Sequence, residues 1–348
     1  VTQITPAVST IREEKGRAKV TEVGLGLISC GNMGKSLITS AGDIPNCAAR
    51  CVADVDEEKA KALAEELGCD YVTDNAELLA RDDIDAVIIA APNFLHKDIA
   101  LQAAAAGKHI FCEKPLALTT ADATAMVQAA EAAGLKFMVG QVLRYMAPWH
   151  KLKTMVDSGE LGEPFAMQTT RIGGGWGGTY HAKWRLKRET CGGPLFEINA
   201  HEIDFMRQIL GEATRVTAGT GRYVETAIDY EDLAMLQMEF ANGGHGQLLA
   251  GHSAHLGIYE VKLYCTKGTV YCNPPNMRFK IGDADEVTLG PDDMQTEAGV
   301  RREVREFVEC VLNDTEPPIP GIEGVRNVEI AEAALISSAE HRPVDLPL

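Results

Sequence analysis

Val23-Gly24-Leu25-Gly26-Leu27-Ile28-Ser29-Cys30-Gly31-Asn32-Met33-Gly34 is the stretch on which the fold turns. Its apolar half reads as a buried strand over 22–29, and a helix over 33–41 follows the turn. The turn matches GxGxxG, with Ser29 in place of the first glycine. Gly31 lets backbone approach a pyrophosphate, and Gly34 lets the helix pack closely on the strand. The helix N-terminus, from Asn32 and Met33 onward, offers free N–H groups and a positive dipole end to phosphate. Ser29 has to take a backbone conformation that glycine takes more cheaply. Gly-rich turns also occur without nucleotides, so the weight of the motif comes from its context.

That context repeats the pattern. Apolar strands over 47–54, 85–90, 108–112 and 135–139 alternate with helices over 56–67, 93–106 and 120–133. Gly68, Gly107 and Gly134 stop those helices. Single helices between near-continuous apolar strands predict a doubly wound parallel sheet covered on both faces. Asp54 closes the second strand, where a carboxylate accepts hydrogen bonds from adenosine ribose hydroxyls and repels a 2′-phosphate. NAD(H) is therefore expected over NADP(H). Such sheets bind ligands beyond their strand C-termini, which turns Pro92, Asn93 and His96 toward the crevice. Asn93 also suits a cap for the next helix.

Near residue 142 the character changes. A helix over 148–158, a strand over 165–172, a Gly-rich loop over 173–193 and a helix over 194–210 precede a mostly extended stretch over 213–289. Helices over 297–313 and 323–341 close the chain. The second half reads as an α/β domain with a large, mostly antiparallel open sheet. The expected division is a flexible or docking tail over 1–20, a cofactor-binding domain over 21–142 and a substrate and oligomerisation domain over 143–348. The last helix is placed to pack back on the first domain.

Composition bounds the partners. The 348 residues are 45% hydrophobic and 24% charged, with 33 Lys and Arg against 50 Asp and Glu, a net charge of −17. That balance repels nucleic acid and anionic membranes. No apolar run approaches the ~20 residues of a bilayer span. Nine cysteines without a CxxC pair read as reduced core thiols of a cytoplasmic protein. His252 and His255, three apart on an expected strand, face opposite sides, and no metal is expected.

Two further elements carry chemistry. Glu113-Lys114-Pro115 follows a strand ending at the crevice. Far downstream, 192–204 reads Gly-Gly-Pro-Leu-Phe-Glu-Ile-Asn-Ala-His-Glu-Ile-Asp. Oxidising a secondary alcohol needs a base for the hydroxyl proton and a positive charge for the developing alkoxide. Lys114 and His201 suit those tasks. Glu197, four residues before His201 on the expected helix over 194–210, is expected on the same helix face.

With Gly31 and Gly34, Ala-Asp-Val-Asp at 53–56, Pro-Asn-x-x-His at 92–96 and Trp184-Arg185, these pieces resemble the glucose–fructose oxidoreductase, inositol dehydrogenase and rhizopine catabolism (Gfo/Idh/MocA) family. The likeness runs from about 21 to 345. It implies a Rossmann domain, a bound nicotinamide cofactor and sugar or cyclitol substrates. It also implies dimers or tetramers joined through the open sheet. In this resemblance Lys114 contacts the reacting hydroxyl and the cofactor, His201 is acid/base and Glu197 orients the hydroxyl. The cofactor set is completed by Glu113, Gln141, Arg144, Trp184 and Arg185. The family commonly has Asp at the position of Glu197 and Gly at that of Asn199.

Residues 171–188 hold Arg171, His181, Lys183, Arg185, Lys187 and Arg188 without an acid, with Trp176, Tyr180 and Trp184 among them. They suit a loop that stacks on a sugar ring and pairs with an anionic group on it. Equally, Trp184 and Arg185 serve the cofactor and the other cations are solvated. The leading expectation is an NAD-dependent sugar or cyclitol dehydrogenase. The alternatives are a redox-neutral glycoside-cleaving enzyme that oxidises a ring hydroxyl transiently, and a non-catalytic cofactor-binding sensor.

Overall fold

The computed structural model describes residues 21–173 and 182–348. Six strands, β1 (Val23–Ile28), β2 (Cys47–Ala53), β3 (Asp70–Val72), β4 (Ala86–Ile89), β5 (His109–Glu113) and β6 (Phe137–Gly140), pair in parallel in the order β3-β2-β1-β4-β5-β6. Every residue of β1, β4 and β6 is buried, as a strand covered on both faces requires. Helices α1 (Asn32–Ser40), α2 (Glu57–Leu67), α3 (Asn75–Leu79), α4 (His96–Ala105) and α5 (Thr120–Ala132) supply the connections. The strand order reverses between β1 and β4, and the crevice for a ligand opens at that switch point. Two short elements, β3 and α3, lie where the sequence pattern shows no strand or helix.

In the second half a nine-stranded sheet is built from β7 (Pro164–Ile172), β8 (Ala213–Gly221), β9 (Leu233–Phe240), β10 (His245–Gly251), β11 (Ile258–Cys265), β12 (Gly268–Asn273), β13 (Asn276–Ile281), β14 (Val287–Leu289) and β15 (Val344–Asp345). Its order is β14-β13-β12-β11-β7-β10-β9-β8-β15, antiparallel except for the β7–β10 pair. Met167, Leu236, Met238, Leu248 and Leu263 fill its inner face. The outer face is open, with Met235, Ile258 and Tyr264 exposed and Gln168 donating to Gln247 at 2.8 Å. Helices α6 (Ala147–Asp157), α7 (Arg188–Cys191), α8 (Pro194–Glu197), α9 (Ala200–Leu210), α10 (Gly299–Asn313) and α11 (Gly321–Glu340) complete the domain.

The helix expected over 194–210 is two helices, broken at Ile198–Asn199. Asn199 is fully buried. Its amide donates to Arg171 O at 3.2 Å and to Glu202 Oε2 at 3.1 Å, and its Oδ1 accepts the N–H of Gly251 at 3.1 Å. Those tertiary bonds pin the break. The shared helix face of Glu197 and His201 is thus replaced by two elements meeting at a corner.

Helix α11 touches both halves. Gly321 and Gly324 let it approach closely, since a Cβ would come within 2.8 Å of Phe137 and Val127 at the first and 3.0 Å of Leu116 at the second. Glu332 accepts the N–H of Thr120 at 2.8 Å. At its far end, Ser337 and Ser338 accept N–H bonds from Ala218 and Thr220 of β8, both at 3.0 Å.

All nine cysteines are free thiols and seven are buried. Among the described residues no helix is long and apolar enough to cross a membrane, and no cluster of three potential metal ligands is found. His252 and His255 lie beyond the end of β10, not on a strand.

Candidate active site

The turn after β1 is shaped to receive phosphate. Gly31 is the N-cap of α1, no side chain caps that end, and the first turn carries no acid. The N–H groups there are left to a ligand. A Cβ on Gly31 would meet nothing within 4 Å, so the space above the turn is open. A Cβ on Gly34 would fall 2.1 Å from Ser29 O. Ser29 holds φ +80°, the left-handed conformation expected of it at a cost of roughly 1–2 kcal/mol. Asp54 braces the turn. Its Oδ2 accepts the N–H of Cys30 at 2.7 Å and its Oδ1 that of Asp56 at 2.9 Å. Each oxygen keeps a further lone pair for a ribose hydroxyl. These residues fit a dinucleotide.

The two glycines make separable predictions. Gly31→Ala is expected to leave the melting temperature nearly unchanged while weakening NADH binding about tenfold or more. Gly34→Ala is expected to destabilise the fold by about 1–3 kcal/mol through its backbone clash. Thermal melts with NADH titrations check both. Equal effects of the two variants on stability would contradict the assignment.

Lys114 and His201 approach from opposite halves. Lys114 follows β5, and its Nζ donates to Glu197 O at 2.5 Å. The Lys114–Pro115 peptide is cis. His201 stands in the first turn of α9, and its Nδ1 is 3.1 Å from Gln141 Oε1. With Gln141 accepting, Nδ1 carries the proton and Nε2 remains an acceptor. Burial, then the charges of Lys114 and Arg171, hold the imidazole well below its usual range, so it is neutral at pH 7.

Glu197 closes the corner. Its Oε1 is 2.8 Å from both Nε and Nη2 of Arg185, and its Oε2 accepts from Asn93 at 2.9 Å. Burial would raise this carboxyl, but Lys114, Arg185 and Asn93 together lower it, so it is ionised. Its side chain clamps Asn93 and Arg185, while its carbonyl aims Lys114.

A model of an oxidoreductase family with an NAD-binding Rossmann fold, GFO/IDH/MocA, matches residues 23–141, and the model of the family's C-terminal domain matches residues 149–271. The chain belongs to the GFO/IDH/MocA family. A 2,7-anhydro-N-acetylneuraminate hydratase of Mediterraneibacter gnavus is 33% identical over 227 residues, 64% of this chain. The match spans 60% of that relative's length. A scyllo-inositol 2-dehydrogenase (NAD(+)) of Bacillus subtilis is 28% identical over 341 residues, 93% of this chain and 96% of that enzyme. Levoglucosan dehydrogenase in complex with NADH superposes with a TM-score of 0.84 at 25% identity, over 94% of this chain and 99% of that one.

Several residues of this GFO/IDH/MocA family member make contacts that the sequence did not announce. His96 is buried with Nδ1 2.9 Å from Pro115 O and Nε2 2.8 Å from Ala91 O. It sits between the loops after β4 and β5, and its neutral ring donates to one of the two carbonyls. Asn93 caps nothing, because the cap of its 3₁₀ turn is Pro92 and its amide goes to Glu197 and to Cys191 O. Arg144 is held bidentately by Asp204 at 2.7 and 2.6 Å and by Glu323 at 2.9 Å. It locks α9 to the end of β6, and a cofactor would have to compete with two carboxylates for it.

The basic stretch is largely neutralised from outside itself. Arg171 pairs with buried Glu202 at 3.0 Å, Arg185 with Glu197, Lys187 with Asp229 at 3.4 Å, and Arg188 with Glu231. Trp184 lies beneath the Arg185 guanidinium, 4.2 Å from it. Trp176, Tyr180 and His181 lie outside the described residues. The sequence marks Gln141 only as a cofactor contact; its place one residue past β6, opposite the His201 helix, carries no local signal for orienting a histidine.

Proposed function

We propose that the protein is an NAD-dependent oxidoreductase that acts on a secondary hydroxyl of a sugar, sugar derivative or cyclitol. In this reading 21–142 binds cofactor and 143–348 binds substrate. The observation that carries it is a Lys114 ammonium, aimed by Glu197 O, near enough for its charge to help keep His201 neutral, with His201 oriented by Gln141. Ser29, Gly31, Asn32, Met33 and Gly34 would hold the pyrophosphate and Asp54 the adenosine ribose. Bound NAD would supply the acceptor for the hydride leaving the carbinol carbon.

The chain's own groups do the rest. His201 Nε2 takes the hydroxyl proton. The Lys114 ammonium steadies the alkoxide as it forms. Glu197 holds Lys114 through its carbonyl and Arg185 and Asn93 through its carboxylate, so it acts as a positioning residue. Since the described arginines near the site already have carboxylate partners, a neutral hydroxylated ring fits better than an anion.

A second reading keeps the same site but returns the hydride within each turnover, with elimination and water addition in between. The hydratase name of the relative at 33% identity favours keeping it. One assay separates the two. Protein, NAD and a panel of sugars, cyclitols and their anhydro and glycosidic forms are incubated in D₂O. Net NADH supports the dehydrogenase. Product with deuterium beside the oxidised carbon and no net NADH supports the redox-neutral cycle. Binding of NAD without either outcome would end both readings. The open outer face of the sheet, with Met235, Ile258 and Tyr264, supports a homodimer or homotetramer, to be read by analytical ultracentrifugation.

A further inference from the structure

Phe111 of β5 packs edge-on against Phe307 of α10, with ring centroids 5.7 Å apart. Glu113 lies two residues further along the strand, on the same face. Glu303 lies one turn before Phe307, on the same stripe of the helix. Two elements already in contact therefore carry two carboxyl groups on their facing sides, near enough for the charge of Glu113 to act on Glu303.

Both are buried. Glu303 is 0% exposed and Glu113 7%. Glu113 Oε2 accepts the N–H of Lys114 at 3.1 Å. Its Oε1 and both oxygens of Glu303 have no hydrogen-bond partner among the described residues. Opposite Glu113, Gly140 leaves no excess room, since a Cβ there would sit 2.9 Å from Oε1. An isolated carboxylate without a donor is too costly at such a site, and two together cost more.

The surroundings offer little relief. Lys114 and Glu197 face Glu113 from the crevice side. Around α10, Tyr145 donates to Glu306 at 2.7 Å, and Arg302 pairs with Glu306 and lies over the Tyr145 ring. Lys35 of α1, which also packs on α10, is turned to Glu66 at the surface, and Asp43 is exposed. None of these supplies Glu303 with a donor.

We propose that Glu113 and Glu303 share one proton, carried on Glu303 and donated to Glu113, so that the pair has a single negative charge behind Lys114. Burial followed by the charge of Glu113 pushes Glu303 well above the usual carboxyl range. Burial raises Glu113 as well, to about 7, with Lys114 pulling the other way. The proton therefore belongs on Glu303, and Lys114 favours the carboxylate on Glu113. The pair anchors the backbone of Lys114 through Glu113 Oε2. Its test reads protons and not turnover, so it stands or falls apart from the proposed reaction.

The sign of the pH effect follows from the raised position of Glu303. The unfolded chain gives up this proton in the ordinary carboxyl range, while the folded chain keeps it to much higher pH. The stability the proton confers is complete at low pH and is lost as pH rises toward the folded value. Full-length wild type and Glu303→Gln, which keeps a donor but cannot ionise, are melted from about pH 5 to about pH 9. The wild type is expected to lose about 5 °C or more relative to the variant across that range. Infrared spectra of wild type labelled with ¹³C-glutamate are expected to show a protonated-carboxyl band at pH 7 that Glu303→Gln lacks. Parallel melting curves, or no acid band in the wild type, would overturn the proposal; the wild-type spectrum decides it even if the variant does not fold.

Discussion

Lys114→Ala is expected to lower kcat/KM by about 10²–10³ while leaving NADH affinity within a few-fold of wild type. The argument is electrostatic. The Lys114 ammonium is fixed by Glu197 O at 2.5 Å before any substrate arrives, and a donor held in advance stabilises developing negative charge without reorganisation. Removing one such donor costs about 2.7–4 kcal/mol in comparable sites. Lys114→Arg does not rescue, because the planar guanidinium cannot meet a carbonyl and an alkoxide from the same point. Steady-state kinetics on a turned-over substrate, with a thermal melt to show that the variant is folded, provide the check. A loss of less than about threefold would remove Lys114 from the chemistry.

His201→Asn is expected to cost about 10²–10⁴ in kcat, the range of a positioned general base. Its signature is the pH profile. His201 is held well below 6.5 by burial and by the nearby Lys114 and Arg171 charges. The base form is therefore complete at neutral pH, and activity falls only as pH drops well below 6.5. Folding stability follows the same sign. The unfolded chain takes up this proton first, so the contribution of His201 is present above pH 6.5 and is lost as pH falls. Gln141→Glu would place a carboxylate on Nδ1, favour the imidazolium and move the acid limb upward. If the limb stayed where it is in wild type, Gln141 would not be the group that orients His201.

Much of this arrangement is legible in the residues. The buried run of β1, the Gly31 and Gly34 turn and Asp54 announce the nucleotide site, because a tight turn restricts which residues fit. Even the strain at Ser29 follows from its place in the motif. The short elements β3 and α3 escaped, having too few residues to show a period. The break before α9 did leave a trace. Asn199 followed by Glu202 is a helix-start pattern, hidden by the apolar continuity of 194–210. Glu303 left one too: an acid in the buried stripe with Val304, Phe307 and Val311. What sequence could not yield was pairing. That Arg144 goes to Asp204, or Asn93 to Glu197, depends on residues 60 and 104 positions apart.

The long closing helix α11 has a mechanical consequence. It is a strut bolted at one end to α5 and β6 and at the other to β8, so a clamshell motion about the segment near 142 would have to shear one set of bolts or the other. The gap between the lobes is therefore a preset gauge. Residues 114 and 201, one from each lobe, are thereby held in register by a helix that bonds to neither of them.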